Sequence, residues 1–329
     1  MSENIKKIQS IANELSKKFK SKVLSDVNAI KRHFISTGNP LIDWVFGKGI
    51  PLGKVIEIFG EEGVGKSTLA YHILAECYRQ GGIPILFDTE ESFSSERAKV
   101  FGLEHLIIEV PETIEQSFEM LLETMDKMEE SDFGVVVWDS LAATPPQSRL
   151  EGKQEIGAKA RVVSDYLQIL LKKMEKTKLS LIILNQVRSI IAFQQFGLPQ
   201  IEAPSARALK HEAVIRAQLT KSKVIKVDDI PVGIVVNLTT HKNKIVSPYR
   251  IVKLMLFFEK GISVSYSVLQ NAVDFEIVKQ DRGWLEFEGV KFRWTEIHKL
   301  KKEHFDLLMQ RTLNELQARY EKAIGRYTL

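Results

Sequence analysis

The nine residues Gly60-Glu61-Glu62-Gly63-Val64-Gly65-Lys66-Ser67-Thr68 fit the pattern G-x-x-x-x-G-K-[ST]. Glycines at this spacing free backbone N–H groups to curl around phosphate oxygens, and a helix starting at the lysine adds a field that favours negative charge. Lys66 is expected to reach the β- and γ-phosphates of ATP, and Ser67 to ligate Mg²⁺. The pattern means little unless a strand precedes it and a helix follows. Here the apolar run Val55–Phe59 reads as the strand and Lys66–Gln80 as the helix, a frame that a chance glycine turn would lack.

Three more apolar runs end in polar side chains. Val135–Trp138 reads as a buried strand that delivers Asp139. A carboxylate there is costly unless it meets a cation directly or through water, so Asp139 is expected to organise Mg²⁺ and its waters. Ile83–Phe87 leads into Asp88-Thr89-Glu90. Ligands bind where strand ends face the switch point of a parallel sheet, so Glu90 is placed to polarise an attacking water, while Asp88 either joins it or caps the turn. Leu179–Leu184 leads into Asn185-Gln186. An amide there reports the γ-phosphate to the adjoining loop or simply shapes a turn.

For these ends to converge, the strands must lie side by side. Helical patterns at Ile114–Glu129 and Ala158–Lys173 separate them. Short apolar strands alternating with amphipathic helices describe an α/β fold with a mostly parallel sheet covered on both faces. From about residue 214 the rhythm changes: Val214–Leu219, Gly233–Thr240 and Ile251–Phe258 read as consecutive strands without crossover helices, expected to extend the sheet with antiparallel members. Residues 3–20 carry a helical stripe of Ile5, Ile8, Ala12, Leu15 and Phe19, which packs on its own domain or on a neighbouring subunit. Past about 270, Asp274–Lys279, Gly283–Glu288 and Val290–Trp294 suggest a small mixed module, closed by a helix over 303–325. The expected division is therefore 1–33, 34–270 and 271–329.

Composition narrows the class without choosing a substrate. The 329 residues are 44% apolar and 27% charged, with a net charge of +4, compatible with a polyanionic partner but weak evidence for one. No run approaches the roughly 18 apolar residues of a membrane span, and the polar start has no signal-peptide core, so a cytoplasmic protein without a membrane partner is expected. The one cysteine, Cys77, excludes an internal disulfide; inside a helical pattern it reads as a buried structural thiol.

A P-loop does not name its substrate; the order of the remaining segments does. Ile35-Ser36-Thr37-Gly38-Asn39-Pro40-Leu41-Ile42-Asp43, Gly53–Gly60, Asp88-Thr89-Glu90, Asp139-Ser140, Asn185-Gln186-Val187-Arg188 and Lys242-Asn243-Lys244-Ile245 stand in an order that resembles the bacterial RecA recombinases and their phage-borne relatives, over nearly the whole chain. The resemblance implies a RecA-type ATPase core that forms a helical filament on single-stranded DNA and exchanges strands with a homologous duplex, using ATP and Mg²⁺. It implies Glu90 as the catalytic glutamate, Gln186 as the γ-phosphate sensor, and Lys242 and Lys244 as a pair reaching a neighbour's ATP, where two cations would stabilise charge developing on the phosphoryl group. Read without it, the two lysines are solvated turn residues.

Two segments resemble that family's DNA-binding loops, about 147–160 and 189–207. Ile156 stands where an apolar side chain wedges between bases and Arg161 where an arginine meets the DNA backbone; Gly157, Arg188, Phe196 and Arg207 complete the expected contacts. Exposed apolar side chains in the second loop make sense if it orders on an extended strand; otherwise it is a lid on the protein's own core. Lys221, Lys223 and Lys226 are candidates for a secondary duplex surface, or a solvated strand edge. Single-stranded-DNA-binding and mediator proteins are further partners the resemblance suggests. Departures are visible too. Ser205-Ala206 replace a glycine pair, Arg97 falls where an aromatic ring stacks on adenine, the first loop is short, and no acidic tail follows Leu329. Together they point to a phage-borne or divergent member.

Overall fold

Strands with no room for a polar face make the centre of the fold. In the computed structural model, which describes residues 33–152, 157–174, 176–186 and 204–325 with the side chains of 204–207 excepted, the elements run β1 (Phe34–Ile35), α1 (Pro40–Phe46), β2 (Ile50–Pro51), β3 (Val55–Gly60), α2 (Lys66–Arg79), β4 (Ile83–Asp88) and α3 (Ser95–Val100). They continue through β5 (Ile107–Glu109), α4 (Ile114–Lys127), β6 (Gly134–Asp139), α5 (Gln147–Leu150), α6 (Ala158–Met174), β7 (Leu179–Gln186) and α7 (Pro204–Glu212). The remainder is β8 (Ile215–Val227), β9 (Ile230–Asn243), β10 (Ile251–Phe257), β11 (Gly261–Ser263), α8 (Val264–Asp274), β12 (Lys279–Asp281), β13 (Trp284–Phe287), β14 (Val290–Phe292) and α9 (Lys302–Gly325). The described residues from Phe34 to Gly325 belong to one compact unit. The helix expected over 3–20 lies outside the described residues.

The central sheet has nine strands in the order β11-β10-β9-β8-β3-β7-β6-β4-β5. From β8 to β5 every pairing is parallel; from β8 through β11 every pairing is antiparallel. This is the mixed α/β architecture that the patterning implies. All six residues of β6 are buried and they alternate between two cores. Val135 and Val137 join the layer of α1, α2 and α8, whereas Val136 and Trp138 join that of α4 and α6. Trp138 sits edge-on to Phe118, with ring centroids 5.4 Å apart, and to Phe87 at 6.3 Å, and its indole N–H donates to Thr144 Oγ1 at 2.9 Å. Cys77 is fully buried, which pushes its thiol up to about 12, as a structural cysteine requires.

Local chemistry explains the segment before the P-loop strand. Asn39 caps α1 by accepting from the Leu41 N–H, Pro40 opens it, and Asp43 accepts from the Ser36 and Thr37 hydroxyls at 2.6 Å each. At the other end of the chain α9 is tied back to this region. The Trp44 indole donates to Gln317 Oε1, Tyr320 Oη donates to the Pro248 carbonyl, and the Arg250 guanidinium lies 4.7 Å from the Trp44 ring and 5.3 Å from the Tyr320 ring.

Three features depart from the sequence pattern, the first being that α7 begins at Pro204, inside the stretch 189–207 expected as a loop. β8 and β9 extend well beyond Val214–Leu219 and Gly233–Thr240, because their outer halves form an exposed hairpin with Lys221, Lys223 and Lys226 and no apolar alternation to betray it. α8 is not anticipated at all. Ser267, Gln270 and Asn271 are as buried as Val268, Leu269 and Ala272, which erases the stripe. Two of those polar groups serve the backbone of β10: Ser267 Oγ accepts from Met255 N, and Asn271 bonds both the N–H and the carbonyl of Lys253. Among the described residues no helix is long and apolar enough to cross a membrane.

Phe118 is fully buried and touches Trp138 and Tyr166. Phe118→Ala is expected to lower the unfolding free energy by about 3–5 kcal/mol in denaturant titration; a change below about 1 kcal/mol would mean that this layer is not the packed core described.

Candidate active site

The loop after β3 turns through Glu61, Glu62 and Gly63, all exposed, before Val64 re-enters the core and Gly65, at φ +90°, opens α2. Two positions leave no room for a side chain. A Cβ on Gly60 would lie 2.4 Å from the Leu219 carbonyl oxygen, and one on Gly65 2.2 Å from Leu256 Cδ1. Gly63 borders open space, and there the backbone itself, at φ +71°, favours glycine. The result is an outward-facing cradle of backbone at a helix N-terminus, the arrangement that suits a phosphate chain.

Lys66 is buried, and its Nζ donates to the carbonyls of Gly60 at 3.1 Å and Glu61 at 2.7 Å. Burial pulls its pKa down, while Asp139, Glu90 and Glu62 hold it up. Ser67 Oγ donates to Asp139 Oδ2 at 2.7 Å. Burial raises the Asp139 carboxyl above its usual range, the Ser67 hydrogen bond opposes that rise, and Glu90 and Asp88 add to it. Thr68 is buried and accepts a hydrogen bond from Arg97 Nη2 at 3.2 Å, which sets the exposed Arg97 beside the P-loop helix.

Strand register brings the remaining groups level with this loop. Asp88 pairs opposite Asp139, and Gly60 opposite Gln186. Asp88 accepts from the backbone N–H groups of Ser92 at 3.0 Å and Phe93 at 2.8 Å, so it caps the following turn. Glu90 is exposed, and its Oε1 accepts from Ser140 Oγ at 2.6 Å. The Asp139–Ser140 peptide is cis, and the Thr89 hydroxyl accepts from Ser140 N at 2.9 Å. Asn185 and Gln186 separate in role. Asn185 Nδ2 donates to the buried Glu57 Oε1 at 2.8 Å, whereas Gln186 is exposed at the end of β7. Arg216 pairs with Glu57 through its Nε and lies 5.0 Å over the Phe59 ring.

Lys242 is not a solvated turn lysine. Its Nζ donates to the carbonyls of Lys210 at 2.7 Å and His211 at 2.6 Å, capping the C-terminus of α7. Asn243 next to it staples β9 to α1, donating to the Val45 and Phe46 carbonyls. Lys244 is exposed, its backbone N–H bonded to the Val214 carbonyl at 2.8 Å. Gly157, at φ +84°, and Arg161 are both exposed at the start of α6. Ile156, Arg188 and Phe196 lie outside the described residues, and Arg207 sits in α7 with its side chain outside them.

Neither Ser140 nor Thr89 stands out in the sequence as a site residue. The signal for both is adjacency: each hydroxyl neighbours a strand-end carboxylate, and the parallel register then sets the two side by side. Among the described residues no cluster of three His, Cys, Asp or Glu could hold a metal alone. The Ser67 hydroxyl and the Asp139 carboxylate are hard oxygen donors of the kind Mg²⁺ takes when phosphate and water supply its other ligands. Those two residues would hold it, and the ion would neutralise phosphate charge.

Comparison with known proteins agrees with this geometry. The RecA N-terminal domain family matches residues 6–263. The protein RecA of Ureaplasma parvum serovar 3 is 34% identical over 296 residues, 88% of this chain and 87% of that protein. RecA of Clostridium novyi is 33% identical over 298 residues, 88% of this chain and 84% of that protein. RecA of Helicobacter acinonychis is 32% identical over 274 residues, 82% and 78% respectively.

Asp139→Asn keeps the shape and removes the charge. Its expected effect is a loss of about 10²–10³ in Mg²⁺-dependent ATP turnover, the scale of one removed electrostatic stabiliser, with the far-ultraviolet circular dichroism unchanged. Wild-type turnover in that variant would place the metal elsewhere.

Proposed function

Since the chain belongs to the bacterial RecA recombinase family, a family of ATPases that use ATP and Mg²⁺, we propose that it is a homologous recombinase. In this reading it coats single-stranded DNA as a helical filament and exchanges that strand with a homologous duplex, driven by DNA-stimulated ATP hydrolysis. The observation that carries the reading is a single level at the end of the sheet. The P-loop, Asp139, Glu90 and Gln186 all stand there, and β7 ends at Gln186, shortly before the segment of about 189–207 read as the second DNA loop, whose last residues open α7.

The chemistry follows from what each side chain now bonds. Lys66 holds two backbone carbonyls that an arriving phosphate would replace, so the ammonium exchanges acceptors and is never left unpaired. Ser67 would hold the Mg²⁺, and Asp139 would hold it through its waters. Glu90, steadied by the Ser140 hydroxyl, orients the attacking water and takes its proton. Gln186 contacts the γ-phosphate and passes its presence to the loop beyond. Arg97, beside Thr68, faces the adenine. Lys242 and Lys244 come from the neighbouring protomer, and Lys242 must release the Lys210 and His211 carbonyls to do so. That release would couple assembly to the helix that follows the second loop.

Self-association also has a surface to use. β5 is one edge of the sheet, and its Ile107 and Ile108, with Val110 just past it, are 47%, 40% and 52% exposed, apolar side chains a soluble monomer would rather cover. We assign residues 1–33 to protomer packing, 34–270 to the ATPase core and 271–329 to a small C-terminal domain whose buried side chains share one core with α1, α2 and α8. DNA contact falls to Ile156, Gly157, Arg161, Arg188, Phe196 and Arg207. Base pairing itself supplies sequence recognition, so the protein need not read bases.

A strand-exchange assay between circular single-stranded DNA and its linear homologous duplex, with ATP and Mg²⁺, tests this directly. Homology-dependent product, lost in Lys66→Ala, is expected. DNA-stimulated ATP turnover without product would favour a ring-forming helicase or a loading factor.

A further inference from the structure

Lys159 occupies a place that disfavours a cation. It stands in the first turn of α6, where the helix field repels positive charge, and it is half-buried. Against those two costs stand three hydrogen bonds. Its Nζ donates to the carbonyls of Leu141 at 2.6 Å, Ala142 at 3.0 Å and Thr144 at 2.9 Å. An ammonium has three N–H donors, so this one is fully committed. All three acceptors belong to one turn, the turn that leaves Asp139.

The other side of that turn faces Glu90. Ser140 Oγ donates to Glu90 Oε1 at 2.6 Å, and Thr144 Oγ1 donates to the Ser140 carbonyl at 3.0 Å while accepting from the Trp138 indole at 2.9 Å. The turn therefore carries Glu90's hydrogen bond on its hydroxyl side and Lys159 on its carbonyl side. Two residues before Lys159 lies Gly157, at φ +84° and bordered by open space, within the stretch read as the first DNA loop.

We infer that Lys159 is a positioning residue that clips the Leu141–Thr144 turn to the start of α6, so that movement imposed on Gly157–Arg161 by a bound DNA strand reaches Ser140 and the Glu90 carboxylate. The inference rests on the recombinase reading, which makes that segment a DNA contact. It gives hydrolysis a DNA signal through the first loop, separate from the route through Gln186. Rigid transmission of this kind needs a linker with fixed geometry, and three convergent backbone acceptors supply one.

The test compares ATP turnover with and without single-stranded DNA, and oligonucleotide affinity by fluorescence anisotropy with a non-hydrolysable ATP analogue, in wild type, Lys159→Met and Lys159→Arg. In Lys159→Met the stimulation ratio should fall about tenfold, the scale of a lost hydrogen bond to a charged group. Affinity should stay within about twofold on the same scale, and Lys159→Arg should restore part of the ratio. Burial and the facing Arg149 guanidinium pull the Lys159 pKa down to about 8. The ammonium is therefore intact below that pH and loses its third donor as pH rises through it. The wild-type ratio should accordingly fall above about pH 8 and the Lys159→Arg ratio should not, a readout that survives even if Lys159→Met does not fold. A stimulated wild type with an equally stimulated Lys159→Met, or identical pH profiles for wild type and Lys159→Arg, overturns the inference alone. A wild type indifferent to single-stranded DNA overturns the recombinase reading and the inference with it.

Discussion

Buried charge without a partner is what this fold must avoid, and the end of its sheet is built around that constraint. Glu57 within β3, Lys66 at the start of α2 and Asp139 at the end of β6 are all buried. Each is answered from another element: Glu57 by Asn185 and Arg216, Lys66 by the Gly60 and Glu61 carbonyls, Asp139 by Ser67. Removing one partner of such a group costs about 3–5 kcal/mol, a large share of the 5–15 kcal/mol by which a domain is stable. The strands therefore have little freedom to slip, since a shift of one residue would orphan several charges at once. The precision that phosphate chemistry needs comes from this bookkeeping of charges, with the apolar layers on either side holding the register.

The same constraint would let the site change state in the proposed mechanism. Lys66 and Lys242 both rest on backbone carbonyls within the protomer. Neutral acceptors of that kind keep an ammonium satisfied yet give way to a phosphate, with which a charge-assisted hydrogen bond is roughly twice as strong. Lys66 bonds the very loop that would receive the nucleotide, and Lys242 bonds the end of the helix behind the second loop. Trading those acceptors for phosphate would alter both places together, which is how a nucleotide becomes a signal.

Much of this was legible in the residues. The P-loop, the strand-end carboxylates and the antiparallel extension of the sheet all follow from period and spacing, because buried strands and glycine turns write themselves plainly into a sequence. Asp88 had two readings, and its bonds to the Ser92 and Phe93 N–H groups decide for the cap. What stayed hidden depends on three-dimensional pairing. Ser140 matters because register places it against Glu90, and Lys159 because a turn eighteen residues earlier in the chain closes over its Nζ. α8 hid because its polar side chains are buried to serve β10, and no stripe survives that arrangement.

One image would weigh the proposal most directly: electron microscopy of the wild-type protein on circular single-stranded DNA, with Mg²⁺ and a non-hydrolysable ATP analogue. A continuous, regular helical coat that lengthens the DNA and is absent from the Lys66→Ala protein is the expected result. Closed rings, or bare DNA beside protein that binds nucleotide normally, would contradict it.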